Sequence, residues 1–166
     1  MTTPLLKITA FIAREREGRV ELLVFNHPEA DYFVREAPLP WLQVPAGTGE
    51  AGEDAHATVM REVQEESGLS EFAMVRHLGA YDDPPWGIRH VFLMMPAGEL
   101  PERWDHVVHG EGEDHGMVFR YEWVSLDDAR QLIGMHAQWL PMVEAALRDE
   151  EAGDEARARG FEPPTF

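Results

Sequence analysis

The sequence contains no cysteine. This excludes disulfides and thiolate zinc sites, and it fits a cytoplasmic protein. No apolar run reaches the length of a membrane-spanning helix, so no membrane partner is expected. The N-terminus lacks the basic flank and apolar core of a secretory signal. Positive charge is scarce: 14 Lys and Arg stand against 31 Asp and Glu, a net charge of −17. Affinity for a DNA or RNA backbone rests on Lys and Arg, so a nucleic-acid polymer is not an expected partner. There is no internal repeat and no sign of a second domain. What the chain does have is core-forming material. In 166 residues, 44% are hydrophobic and 10% aromatic, enough for one globular domain.

The most informative stretch is Gly47 to Leu69, GTGEAGEDAHATVMREVQEESGL. Pro45, Gly47, Gly49 and Gly52 predict a tight loop that cannot continue a strand. Asp54 is a good N-cap, helix formers follow it, and Gly68 is a natural stop. Ala57, Met60, Val63 and Leu69 give an apolar stripe at helical spacing. Glu62, Glu65 and Glu66 then fall at i, i+3 and i+4, so three carboxylates share one helix face. Like charges there repel by a few tenths of a kcal/mol per pair. A hard divalent cation would convert that repulsion into binding, since magnesium takes oxygen ligands. The plain alternative is a solvated acidic face.

The wider spacing weighs against that alternative. Gly47, Glu53, Arg61, Glu62, Glu65, Glu66 and Gly68 stand at fixed offsets, with apolar Val63 and Leu69. Seven such residues should coincide on the order of once in 100,000 chains of average composition. The pattern is G, five residues, E, seven residues, R-E-U-x-E-E-x-G-U, where U is apolar, and the chain thereby resembles the Nudix hydrolases. The resemblance implies an α/β (α+β type) fold with a mixed sheet between helices. It also implies hydrolysis of a nucleoside diphosphate linked to another moiety, with magnesium or manganese as cofactor. By position, Glu62, Glu65 and Glu66 would hold metal, with the carbonyl of Ala46 as a further ligand. Arg61 and Glu53 would orient the cluster. A glutamate from a late loop commonly serves such enzymes as base or extra ligand, which makes Glu111 or Glu113 the candidate here. The resemblance also admits a homodimer.

Around this stretch the chain reads as alternating elements. Strands are expected over Leu5–Ala13, Val20–Phe25, Trp41–Val44, Phe72–Tyr81 (irregular at Gly79), Ile88–Met95 and Phe119–Val124. Trp104 to Val118, WDHVVHGEGEDHGMV, reads as a glycine-rich acidic loop. Its His109 and His115 do not have a zinc spacing. Ser125 predicts a helix cap, and a further helix is expected over about Met135–Arg148, with Pro141 tolerated only in a first turn or at a kink. The domain is expected to span 1–148, with a charged tail over 149–166.

Three connections would read the substrate: Asn26–Trp41, Asp82–Arg89 and Arg103–Gly116. Within them Arg35, Trp41, Trp86 and Arg89 are candidate substrate contacts. The plain alternative, favoured because aromatics are bury-prone wherever they occur, is that these side chains tuck against the core. Nucleoside triphosphates, ADP-ribose, nucleotide sugars and dinucleoside polyphosphates all stay open as substrates. Two other readings stand beside the hydrolase: a non-catalytic Nudix-fold nucleotide-binding or sensor module, and an unrelated acidic cation-binding protein.

Overall fold

The computed structural model describes residues 2–27, 42–130, 132 and 135–158. Seven strands form a mixed sheet: β1 (Leu6–Arg16), β2 (Arg19–Asn26), β3 (Ala46–Thr48), β4 (Phe72–Asp83), β5 (Gly87–Pro96), β6 (Arg103–Val107) and β7 (Val118–Ser125). The order is β4-β5-β1-β2-β7-β6, with β3 paired to β1 off that path. Only β1 and β5 run parallel; every other pairing is antiparallel.

Strand β1 is the spine. Its first half lies between β5 and β3, and its end turns into the hairpin with β2 through Glu17 and Gly18. Both faces are covered, so Ile8 to Ala13 are all buried and, Thr9 apart, the sequence there is apolar without alternation. Ile8, Ala10 and Ile12 face one layer with Phe92, Met94, Phe119 and Tyr121. There they meet Val59 and Val63 of helix α1 (Ala55–Ser67). Phe11 and Ala13 face the other layer with Leu22, Val24, Val91 and Leu93. Helices α2 (Leu126–Ala129), α3 (Met135–Gln138) and α4 (Leu140–Ala158) follow β7, and Ala129, Leu140, Val143, Ala146 and Leu147 cover that second face. The sheet is thus held between helices, as expected.

Several local signals behave as read. Ser125 caps α2 by accepting from Asp128 N. Pro141 sits in the first turn of α4, where its missing N–H costs nothing. Strand β4 slips register between His77 and Gly79.

Three expectations are corrected. Ala46–Thr48 is a strand, although its glycine-rich surroundings predict only loop; its pairing with β1 decides this. Leu42 and Gln43 make isolated bridges, to Leu132 and Phe25, in place of a full strand. Arg103–Val107 forms β6, with Trp104 and His106 turned inward and Arg103, Asp105 and Val107 outward. Its alternation is carried by polar residues, so it merges with the acidic loop when read from sequence. Arg35 and Trp41, both candidate substrate contacts, lie outside the described residues.

Candidate active site

Helix α1 forms where its caps dictate. The Asp54 side chain accepts from Ala57 N at 2.7 Å, and Gly68 adopts φ 82°, the left-handed turn that favours glycine. Its inward face is set by Thr58, Val59 and Val63, while Ala57, expected in the apolar stripe, is exposed. This rotation brings Glu62 and Glu66 against β3.

Strand β3 meets them with its free edge. Ala10 N donates to Pro45 O and Gly49 N to Leu6 O, so the peptide groups of Ala46 and Thr48 alternate away from β1. The helix uses them. Ala46 N donates to Glu66 Oε2 and Thr48 N to Glu62 Oε1, both at 3.2 Å. Arg61 Nη2 donates to Thr48 O at 2.9 Å. The Ala46 carbonyl, turned to the same side of the strand as its N–H, faces the carboxylates. Gly47 lies between these two residues, and a Cβ there would fall on the Glu62 carboxylate.

Arg61 organises the charge. Its Nε and Nη2 bind Glu53 at 2.8 and 2.9 Å, and its Nη1 reaches Glu62 at 3.1 Å and Glu65 at 3.2 Å. The Glu53 carboxylate also accepts from Glu50 N at 2.6 Å. Hydrogen bonding to Arg61 pulls the Glu53 carboxyl down to about 2 and raises the Arg61 guanidinium. Glu62 is pushed up by burial, against the pull of Arg61. Glu66 is pushed well above the usual carboxylate range, first by burial and then by the Glu62 charge. The Ala46 N–H opposes this, and Asp114 and Glu65 add to it. Glu66 is 5% exposed, and no cation contacts it among the described residues. A buried carboxylate with one long hydrogen bond is a costly arrangement.

The C-terminal turn of α1 is clamped from β6 and β7. Gln64 O accepts from Gly68 N. Glu65 O accepts from His109 N at 3.0 Å and lies 2.9 Å from His106 Nε2. Glu66 O accepts from Tyr121 OH at 2.9 Å and Ser67 O from Trp104 Nε1 at 3.2 Å. Helix-end carbonyls normally lack partners and carry partial negative charge. Here none of the last four is orphaned, although the last turn has no basic residue. The sequence reading missed Trp104, His106 and Tyr121, and the alternation within β6 was the one signal for the first two.

Residues 108–117 form a loop closed by Val108 N to Met117 O at 2.9 Å. It arches over the helix and encloses a cleft of about 430 Å³, which holds Glu62, Glu65, Glu66, Glu111 and Glu113 together. The loop also brings Asp114, which the sequence reading did not single out, near enough to influence Glu66. Gly110 is needed at φ 92°, and a Cβ there would meet the Glu65 carboxylate.

Two candidate contacts lie elsewhere. Arg89 is 4% exposed. Its guanidinium binds Asp83 at 2.6 Å, Ile8 O at 3.0 Å and Thr9 Oγ1 at 2.9 Å, pinning β5 to β1. It therefore faces the core, in place of the substrate position expected for it. Trp86 is 53% exposed, on the turn between β4 and β5, beside the cleft but outside its lining.

Among the described residues no three acidic or histidine side chains already converge in a metal-holding arrangement, because Arg61 draws Glu62 and Glu65 to itself. The donor set nevertheless suits a hard divalent cation. It consists of carboxylate oxygens and a peptide carbonyl, and the Glu66 carboxyl has no cationic partner among the described residues.

Fold and site together define a class: an α+β domain with a carboxylate-faced helix laid against the free edge of a short strand. Comparison with known proteins names it. The NUDIX domain model matches residues 5–154, and the chain belongs to that family. Among solved structures, the NUDIX domain of Shewanella oneidensis NrtR complexed with ADP ribose is 16% identical, with a TM-score of 0.60 over 89% of this chain and 90% of that one. A mutT/nudix family protein from Listeria innocua is 17% identical, with a TM-score of 0.58 over 92% and 99%. The C. elegans Ap4A hydrolase is 18% identical, with a TM-score of 0.51 over 87% and 99%. At these identities the likeness shows the fold. No curated protein matches the chain. No helix among the described residues is long and apolar enough to cross a membrane.

Proposed function

We propose that this protein hydrolyses a pyrophosphate bond in a nucleoside diphosphate derivative, with a divalent metal as cofactor. The observation that carries the reading is the cleft in which Glu62, Glu65 and Glu66, all members of an intact motif, face the edge of β3 and a loop with further carboxylates. The solved structures that share the fold include one bound to ADP ribose and one Ap4A hydrolase, which supports a small nucleotide as partner. ADP-ribose, dinucleoside polyphosphates, nucleotide sugars and nucleoside triphosphates are the substrates to compare.

In this reading Glu62, Glu65, Glu66 and the Ala46 carbonyl supply the oxygen ligands. Bound magnesium or manganese would neutralise the diphosphate and lower the pKa of a bound water. Arg61 and Glu53 hold the ligand carboxylates in place through the ion pairs described above. Glu111, Glu113 and Asp114 are the candidates to take the proton of the attacking water. The water oxygen bonds to one phosphorus, the bridging P–O bond breaks, and the products are two phosphate compounds.

The test is a chromatographic assay of substrate loss and phosphorylated-product formation on the four nucleotide classes, with and without magnesium, alongside direct binding measurements. Turnover only with metal supports the hydrolase. Tight nucleotide binding without turnover under any metal would replace it with the binding or sensor module. Cation binding with no response to nucleotide would leave only the acidic cation-binding protein.

A further inference from the structure

Lysine occurs once in the whole sequence, at Lys7. The register of β1 with β3 sets Lys7 opposite Thr48. This is a pair without mutual backbone hydrogen bonds, the type whose side chains approach closely. Lys7 Nζ donates to Thr48 Oγ1 at 2.7 Å, and Lys7 lines the same cleft as Glu62, Glu65 and Glu66. Arg61, the other Lys or Arg on that lining, contacts four carboxylates: Glu50, Glu53, Glu62 and Glu65. Lys7 contacts no carboxylate among the described residues. In a chain with 31 acidic residues, an ammonium left without an acidic partner at an acid-lined cleft is available to an anion from outside.

A second observation lies on the other side of that ammonium. Lys7 Nζ is 5.9 Å from the centre of the Trp86 ring. Trp86 is 53% exposed and borders an open groove of about 880 Å³ whose walls include Leu5, Pro84, Pro85 and Ile88. An exposed indole flanked by apolar walls is a stacking surface for a planar ring. One lysine side chain therefore links the carboxylate cleft to an aromatic platform, as a ligand with a phosphate at one end and a flat ring at the other requires.

We propose that Lys7 and Trp86 form the recognition subsite of this protein: the Lys7 ammonium takes a non-bridging phosphate oxygen of the diphosphate, and the nucleobase stacks on Trp86. The proposal rests on the hydrolase reading for the position of the diphosphate. Stacking scales with ring area, so purine nucleotides are the substrate class assigned.

The single lysine makes the test direct. The full-length protein is treated with an amine-acylating reagent, and Lys7 and the N-terminal amine are followed by peptide mapping. A purine nucleotide with a non-hydrolysable diphosphate bridge, added with magnesium, is expected to slow acylation of Lys7 at least tenfold without slowing the N-terminal amine. In kinetics, Lys7→Gln and Trp86→Ala are each expected to raise KM about tenfold, far more than they lower kcat, and Trp86→Ala is expected to erase the preference for purines. Arg19→Gln, which also removes one positive charge but lies exposed at the start of β2, away from the cleft, serves as the control for net charge. If the protein hydrolyses nucleotides while Lys7 is acylated equally fast with and without the analogue, the subsite is overturned and the hydrolase reading stands. If Lys7 is protected but no nucleotide is turned over, the subsite stands and the hydrolytic reading fails. Absence of both protection and turnover overturns both.

Discussion

Replacing Glu66 by glutamine should stabilise the metal-free protein while destroying its activity. Glu66 is 5% exposed, with its carboxyl pushed well up by burial and by Glu62. A group whose folded-state pKa is raised favours folding in its protonated form. That contribution is complete below the unfolded value, near 4.5, and disappears as pH rises through the folded value. Above the unfolded value the wild-type protein therefore has either to take up a proton on folding or to bury a charge with one 3.2 Å hydrogen bond as compensation. Glutamine keeps the shape without the charge, and its carbonyl oxygen can keep the Ala46 N–H. A poorly satisfied buried polar group costs about 1–3 kcal/mol, more when charged. A gain of about 2 kcal/mol corresponds to about 4–8 °C in Tm for a domain of this size. Thermal unfolding in chelator, from pH 5 to 8, should show Glu66→Gln above wild type, with the gap widening as pH rises. Magnesium should raise the wild-type Tm by ligand linkage and the variant's much less. Turnover should fall on the order of 100-fold or more. A variant that is less stable than wild type in chelator at pH 8, or that keeps near-normal turnover, would refute the reasoning.

Further predictions follow from particular contacts. Gly47→Ala places a Cβ on the Glu62 carboxylate; the flexible side chain can move aside, so circular dichroism should show an intact fold while magnesium affinity, by titration calorimetry, falls about tenfold or more. Tyr121→Phe removes the donor to Glu66 O in a buried setting; denaturant unfolding should show a loss of about 1–2 kcal/mol, with a lower kcat from a loosened helix end. His136 is 9% exposed, and burial, aided by Arg89, lowers its pKa to about 4. A lowered histidine contributes stability above its unfolded value near 6.5 that is lost as pH falls toward 4, about 3 kcal/mol over that window. His136→Phe should flatten the dependence of unfolding free energy on pH between 6.5 and 4, and an unchanged slope would count against a buried neutral imidazole.

Some of the site was legible because its geometry is local. Helical spacing alone places Glu62, Glu65 and Glu66 on one face, Asp54 and Gly68 fix the ends of that helix, and the structure agrees on both. The Arg61–Glu53 ion pair spans eight residues across the loop–helix junction. It followed from the family resemblance, since no rule of local spacing supplies it.

The rest depends on partners far along the chain. Whether Ala57 or Val59 faces the sheet is decided by how α1 is rotated onto β1 and β5, and both phases satisfy an amphipathic pattern. The sequence expected no strand at Ala46–Thr48, because that strand exists through pairing with β1, about 40 residues away. Arg89 reads as a surface cation until Asp83, Ile8 and Thr9 close around it. Trp104, His106 and Tyr121 gain their place on the helix end only when β6 and β7 fold against α1. The sequence by itself determined the helix, its caps and its acidic face, since those follow from residues within a few turns of one another. Tertiary structure alone decided what the acidic face looks at, which charges stay without partners, and that the single lysine stands between the cleft and Trp86, because each is settled by contacts across strands that local physics does not bring together.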